Sequence, residues 1–214
     1  MAVIIFEGPD NLGKSTIINS LVNDYKDVKD ICMMHSTGPR YNNGEDPFEY
    51  QKKVFFDKVK KIAAFDRASR KSSFGSDDLV LMDRSWIGEY VYGQIYRNGD
   101  SKKILDMINT CNIMLMANNI KCVFIQLNAS PEFIIEHDDS KSFTSLYDND
   151  KRLMFAKREI DLFTEVFNSM WVDDKLMVKA VVTTQSNANE RSYKPVATIN
   201  SEIKEYLNQA GIEL

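Results

Sequence analysis

The residues with the clearest chemical signature lie near the amino terminus. Gly8-Pro9-Asp10-Asn11-Leu12-Gly13-Lys14-Ser15 fits the phosphate-loop pattern G-x-x-x-x-G-K-[ST]. The glycines let the backbone curl so that successive N–H groups converge on phosphate oxygens. A helix starting near Lys14 would aim its positive dipole end at the same point. Lys14 would then reach the β and γ phosphates of ATP, while the Ser15 hydroxyl would ligate Mg²⁺. Gly8, Asn11, Leu12, Gly13 and Thr16 complete the expected ATP-binding set. With ordinary composition, a chance match in a chain this long is on the order of one in a hundred. A second group, Asp83-Arg84-Ser85, closes a short apolar run. A carboxylate there, at the end of a buried strand, suits a Mg²⁺-water ligand, and Asp83 is the expected partner of Ser15 in holding the metal.

The elements that must position these groups can be read from periodicity. Residues 3–6 form a continuous β-branched and aromatic run, as expected of a strand buried on both faces. Ile17, Ile18, Leu21 and Val22 then recur at helical spacing. Further strands are expected at 31–34, 79–82, 121–127 and 176–182, with helices over about 47–70, 87–96, 102–118 and from 153 to 170, and a terminal helix carrying Ile199, Ile203 and Leu207. Pro47 suits a first helical turn, and Ser130-Pro131 opens a short helix. Five strands alternating with helices imply an α/β fold with a parallel sheet covered on both faces. The whole chain, 1–214, is expected to be one domain. A polar stretch without periodicity, about 137–152, is the candidate for a mobile lid.

Composition narrows the class. The 214 residues carry 27 Lys+Arg against 31 Asp+Glu, a net charge of −4, with 43% hydrophobic residues. That apolar content excludes intrinsic disorder, and 9 Gly with 5 Pro exclude collagen-like or low-complexity repeats. The mildly acidic balance argues against a generic nucleic-acid surface. The run at 1–6 is far below the ~18 residues that span a bilayer, and it lacks the basic flank of a signal peptide. Cys32, Cys111 and Cys122 form no CxxC pair and read as reduced thiols in a cytoplasmic protein. With only His35 and His137, a structural zinc site is not expected. No Asn-Lys-x-Asp guanine reader exists, which disfavours a GTPase, and five strands in this length fit a small phosphotransferase.

At this level the sequence resembles the thymidylate kinase family of P-loop nucleoside monophosphate kinases. Three segments carry the likeness: residues 5–16 around the phosphate loop, with Asp10 two positions after the first Gly; Ala63-Ala64-Phe65-Asp66-Arg67, similar to a helical F-x-A-D/N-R segment; and Asp83-Arg84, with Tyr92 nine residues beyond the Asp. Residues 83–97 also look like segments of virus-encoded nucleotide kinases. The resemblance implies transfer of the γ-phosphoryl of ATP to a deoxynucleoside monophosphate, dTMP or a related pyrimidine, plain or modified. It implies that Arg84 binds the acceptor phosphate, with Arg40 beside it. Arg67 and Phe65 would meet the acceptor base, Tyr92 and Glu89 would line the acceptor pocket, and Asp10 would touch acceptor sugar or metal. A homodimer is an expectation by family analogy. Catalysis by such a set is alignment and charge neutralisation, since a monophosphate acceptor brings its own anionic oxygen and needs no strong general base.

The chain departs from the family at three points. Ala63 stands where a base-stacking aromatic is expected, and Ser85 follows Asp-Arg instead of an aromatic. The loop has Asn11 where relatives place an Arg, leaving Lys141, Lys151 and Arg152 of the lid region as cations for the transferring phosphoryl group. A deoxynucleoside kinase or a kinase of nucleic-acid hydroxyls is the alternative, though His35-Ser36-Thr37 occupies the place where nucleoside kinases carry a base. A non-catalytic nucleotide-binding module is the third reading.

Overall fold

The computed structural model describes residues 1–27, 30–36, 45–69, 78–138, 147–187 and 192–212. Arg40 and Lys141, and with Lys141 half of the expected lid, lie outside them.

Five strands, β1 (Ala2–Glu7), β2 (Ile31–His35), β3 (Leu79–Asp83), β4 (Lys121–Asn128) and β5 (Met177–Thr183), form one sheet in the order β2-β3-β1-β4-β5. Every neighbouring pair is parallel. The helices are α1 (Lys14–Tyr25), α2 (Pro47–Ser69), α3 (Gly88–Arg97), α4 (Ser101–Ala117), α5 (Pro131–Glu136), α6 (Asn149–Ser169) and α7 (Val196–Gln209).

The continuous apolar runs have a direct cause. Alternate residues of β1 feed two separate cores: Val3 and Ile5 pack with Phe55, Ile62, Trp86, Ile108 and Phe163 from α2, the turn before α3, α4 and α6. Ala2, Ile4 and Phe6 pack on the other face with Ile17, Leu21, Phe133, Ile199 and Ile203 from α1, α5 and α7. A strand covered on both sides has no polar face to show, so period-two alternation disappears. Side chains cap several helices: Asp100 accepts from the Lys102 and Lys103 N–H groups, Ser130 from Phe133, and Asp148 from Lys151. Helix α1 differs, because its N-cap is Gly13 in the left-handed region and no side chain caps it. Its first N–H groups therefore remain directed at the loop, as an anion site requires.

Because the strands are parallel, their carboxyl ends share one edge, and the chain order reverses around β1. The loops after β1 and β3 meet at that crevice, the usual ligand position in open α/β sheets. Among the described residues, no helix is long and apolar enough to cross a membrane.

Candidate active site

The loop after β1 takes a shape that glycine alone permits at its start. Gly8 has φ 136°, and a Cβ there would stand 2.5 Å from the Leu127 carbonyl oxygen, a backbone atom that cannot swing away. Asn11 and Gly13 are also left-handed, at φ 61° and 73°. Leu12 is fully buried and anchors the loop in the core, so only its backbone faces the phosphate path. Thr16 lies exposed in the first turn of α1. Lys14 folds back and donates to the carbonyls of Gly8 (3.0 Å) and Pro9 (2.5 Å). Burial, with the nearby Arg84 charge adding to it, lowers its pKa to about 7.

The register β1–β3–β2 places Phe6, Asp83 and His35 side by side. Asp83 Oδ2 accepts from the Ser15 hydroxyl at 3.1 Å and lies 3.3 Å from His35 Nδ1. Asp83 Oδ1 is buried without a hydrogen-bond partner. A hydroxyl and a carboxylate with one orphaned oxygen suit a hard divalent cation such as Mg²⁺. Among the described residues, no cluster of three or more His, Cys, Asp or Glu could hold a metal by itself.

Arg84 turns toward the loop from the end of β3. Its guanidinium pairs with Asp10, donates to the Tyr92 hydroxyl at 2.7 Å and reaches the Gly8 carbonyl at 3.5 Å. Its charge lies 4.9 Å from the centre of the Tyr92 ring. Beneath it, the last residue of β1, Glu7, is completely buried.

A cleft of about 500 Å³ opens beside Arg84. Two further arginines line it. Arg97 is paired with buried Glu89 at 2.6 Å, and Arg152 with Asp138 at 3.0 Å. Asp138 is also 3.5 Å from the Asn11 amide, which links the start of α6 to the phosphate loop. Burial raises the Glu89 pKa despite its Arg97 partner. Glu159, which accepts from Tyr96 at 3.3 Å, is pushed up to about 7 by burial first and by the Asp10 charge second. Gln51 and Phe55, from the first turns of α2, form another wall with Tyr92 and Tyr96. The cleft thus presents three guanidinium groups, each held ready by a carboxylate, between aromatic walls.

Of the residues singled out in the sequence, Asp10, Asn11, Arg84, Glu89, Tyr92 and Arg152 line this cleft, and Lys14, Ser15 and Asp83 stand at its loop side. Phe65 and Arg67 do not line it. Phe65 packs against the core, and exposed Arg67 donates to Asn118 at 3.4 Å, just before β4 begins. That is the amino edge of the sheet. Helix α2 starts at the carboxyl edge, and an α-helix advances about 1.5 Å per residue, so Phe65 lies roughly 15 Å beyond Phe55. Phe65 and Arg67, which the resemblance assigns to the acceptor base, thus lie away from this cleft. The assignment of Arg40 falls outside the described residues. Glu7, Gln51, Phe55, Tyr96, Arg97 and Glu159 were not foreseen as site residues. Phe55 carries the apolar stripe of α2 and reads as core, and nothing in the sequence separates Arg97 or Glu159 from surface charges.

No protein-family model and no curated protein sequence matches the chain. Solved structures do match its fold. A polyphosphate kinase 2 from Arthrobacter aurescens TC1 superimposes with a TM-score of 0.65 at 14% identity, covering 98% of this chain and 68% of that one. The YorR protein of Bacillus subtilis, solved in complex with phosphorylated GDP, gives 0.56 at 17% identity, covering 100% and 99%. A putative polyphosphate kinase 2 from Pseudomonas aeruginosa PA01 gives 0.61 at 15% identity, covering 98% of this chain and 42% of that one. The fold is that of the P-loop kinases; these likenesses do not single out the thymidylate kinases.

Proposed function

We propose that the protein transfers the γ-phosphoryl group of Mg-ATP to a deoxynucleoside monophosphate, with dTMP and related pyrimidine nucleotides as the first candidates. The observation that carries this reading is Arg84, half-buried at the lip of the phosphate loop in a cleft that holds two more arginines. A phosphate monoester binds guanidinium in bidentate fashion and can displace the exposed Asp10 carboxylate from Arg84, an exchange that a neutral nucleoside cannot drive.

The chain's own groups divide the work as follows. Lys14 leaves its carbonyl partners for the β and γ phosphates, regaining full charge beside them. Ser15 and Asp83 would hold Mg²⁺, which would supply charge neutralisation at the phosphates. Arg84 exchanges Asp10 for the acceptor phosphate and is steadied by Tyr92. Arg152, tied through Asp138 to Asn11, is the described cation best placed for the transferring group, in the role that Asn11 cannot fill. With Arg67 remote, recognition of the base passes to the wall that includes Gln51 and Phe55.

The decisive assay supplies Mg-ATP with each deoxynucleoside, each deoxynucleoside monophosphate and a 5′-hydroxyl oligonucleotide, and identifies the phosphorylated product. Diphosphate formation from one or more monophosphates is the expected result. Phosphorylation of nucleosides or oligonucleotides alone would overturn the reading. ATP binding without transfer to any acceptor would favour a non-catalytic module.

A further inference from the structure

We infer that Glu7 is a positioning residue: its buried carboxylate locks Arg84 in place and joins the donor loop and the acceptor arginine into one unit. The inference rests on the reading of Arg84 as the acceptor-phosphate ligand.

Arg84 is a non-glycine residue at φ 65°. In that region the Cβ of an L residue crowds the following carbonyl, so the conformation persists only where its surroundings over-determine it. Two restraints do so. On the amino side, the Arg84 N–H donates to the Phe6 carbonyl at 3.0 Å. On the carboxyl side, Glu7 Oε1 accepts from both the N–H and the hydroxyl of Ser85, each at 2.6 Å, and lies 3.4 Å from the Gly88 N–H. The Ser85 hydroxyl in turn accepts from the Ile87 N–H at 3.2 Å. A single carboxylate oxygen thus gathers the turn that carries the chain from Arg84 into α3.

Glu7 is an expensive residue to keep there. It is wholly buried, and its other oxygen, Oε2, has no hydrogen-bond partner. An apolar side chain at the end of β1 would avoid the desolvation of a carboxylate. What an apolar side chain could not supply is the grip on Ser85. The α3 helix is fitted closely to it, since a Cβ on Gly88 would stand 3.2 Å from Oε2. The next residue in the chain, Gly8, offers its carbonyl to both Lys14 (3.0 Å) and Arg84 (3.5 Å). Glu7 therefore sits where a shift of either cation would be felt by the other.

The test compares Glu7→Ala, Arg84→Ala and the double variant, by crystal structure and by separate donor and acceptor kinetics. In Glu7→Ala, Arg84 should leave the left-handed region. The acceptor KM should rise about tenfold while the donor KM stays within about twofold, and in the Arg84→Ala background the added change should be under about twofold. Retention of the left-handed Arg84, equal rises in both KM values, or multiplying effects would each overturn the inference. Should Glu7→Ala fail to fold, Ser85→Ala decides. It removes one of the two short bonds and should raise the acceptor KM about threefold, but not in the Arg84→Ala background; an unchanged acceptor KM would refute the clamp. If the wild-type protein phosphorylates no monophosphate, the proposed function falls, while the Arg84 backbone in Glu7→Ala still judges the clamp.

Discussion

Lys14 is the residue where the identity of a motif and its physical state are most separable. The pattern G-x-x-x-x-G-K-[ST] names it from sequence, because loop, glycines and lysine are adjacent in the chain. Its pKa of about 7 could not be read there, since burial and the Arg84 charge come from segments far along the chain. That state has a consequence. At pH 8.5 the ammonium is mostly deprotonated in the nucleotide-free protein, and the phosphates of ATP, by opposite charge, restore its ordinary pKa. Binding of Mg-ATP at pH 8.5 should therefore take up close to one proton, and at pH 6, where Lys14 is already charged, this uptake should vanish. Calorimetry in buffers of different ionisation enthalpy measures the number directly. Proton release, or no exchange at pH 8.5, would contradict the assigned state of Lys14. Asp83 shows the same division: its place at a strand end was legible, but its orphaned oxygen beside Ser15 depends on the β1–β3 register.

At the scale of elements, hydrophobic periodicity located all five strands to within a residue or two, because runs covered on both faces are hard to mistake when turn residues bound them. Helix α2 was equally visible, yet the end of it that lines the cleft was not. Period 3.6 fixes which face is apolar but not which turns of a 23-residue helix stand at the carboxyl edge of the sheet. The motif-based choice of Arg67 fell at the far end, while Gln51 and Phe55 line the cleft and Arg97 reaches it from the last turn of α3. Arg67→Ala should accordingly leave donor and acceptor KM within about twofold, as for exposed positions away from such features. Arg97→Gln should raise the acceptor KM about tenfold and also lower stability, because it leaves buried Glu89 without its cation. Steady-state kinetics with varied acceptor decide between the two arginines. An acceptor defect in Arg67→Ala matching that of Arg97→Gln would return the base to the amino edge.

For the whole molecule, a net charge of −4 coexists with a cleft that concentrates cations, and the sheet explains how. Parallel strands bring the loops after β1 and β3 to one edge, so arginines distant in sequence converge there beside the carboxylates that hold them. The same topology couples the site to global stability. The phosphate loop grows directly from β1, which is hydrogen-bonded to β3 and β4 at the centre of the sheet. A ligand gripping that loop binds the folded chain and has no equivalent in the unfolded one, so it must stabilise the whole domain by mass action. At a free concentration of Mg-ATP 100 times its dissociation constant, the gain is about 2.7 kcal/mol. For a domain of this size each kcal/mol moves the melting temperature by about 2–4 °C, giving an expected rise of about 5–10 °C. Lys14→Ala should abolish that rise while the nucleotide-free protein still melts cooperatively, since it removes a buried cation and opens no large cavity in either core. Thermal melts with and without Mg-ATP measure both. A full shift in Lys14→Ala would mean that nucleotide grips the fold somewhere other than the loop after β1.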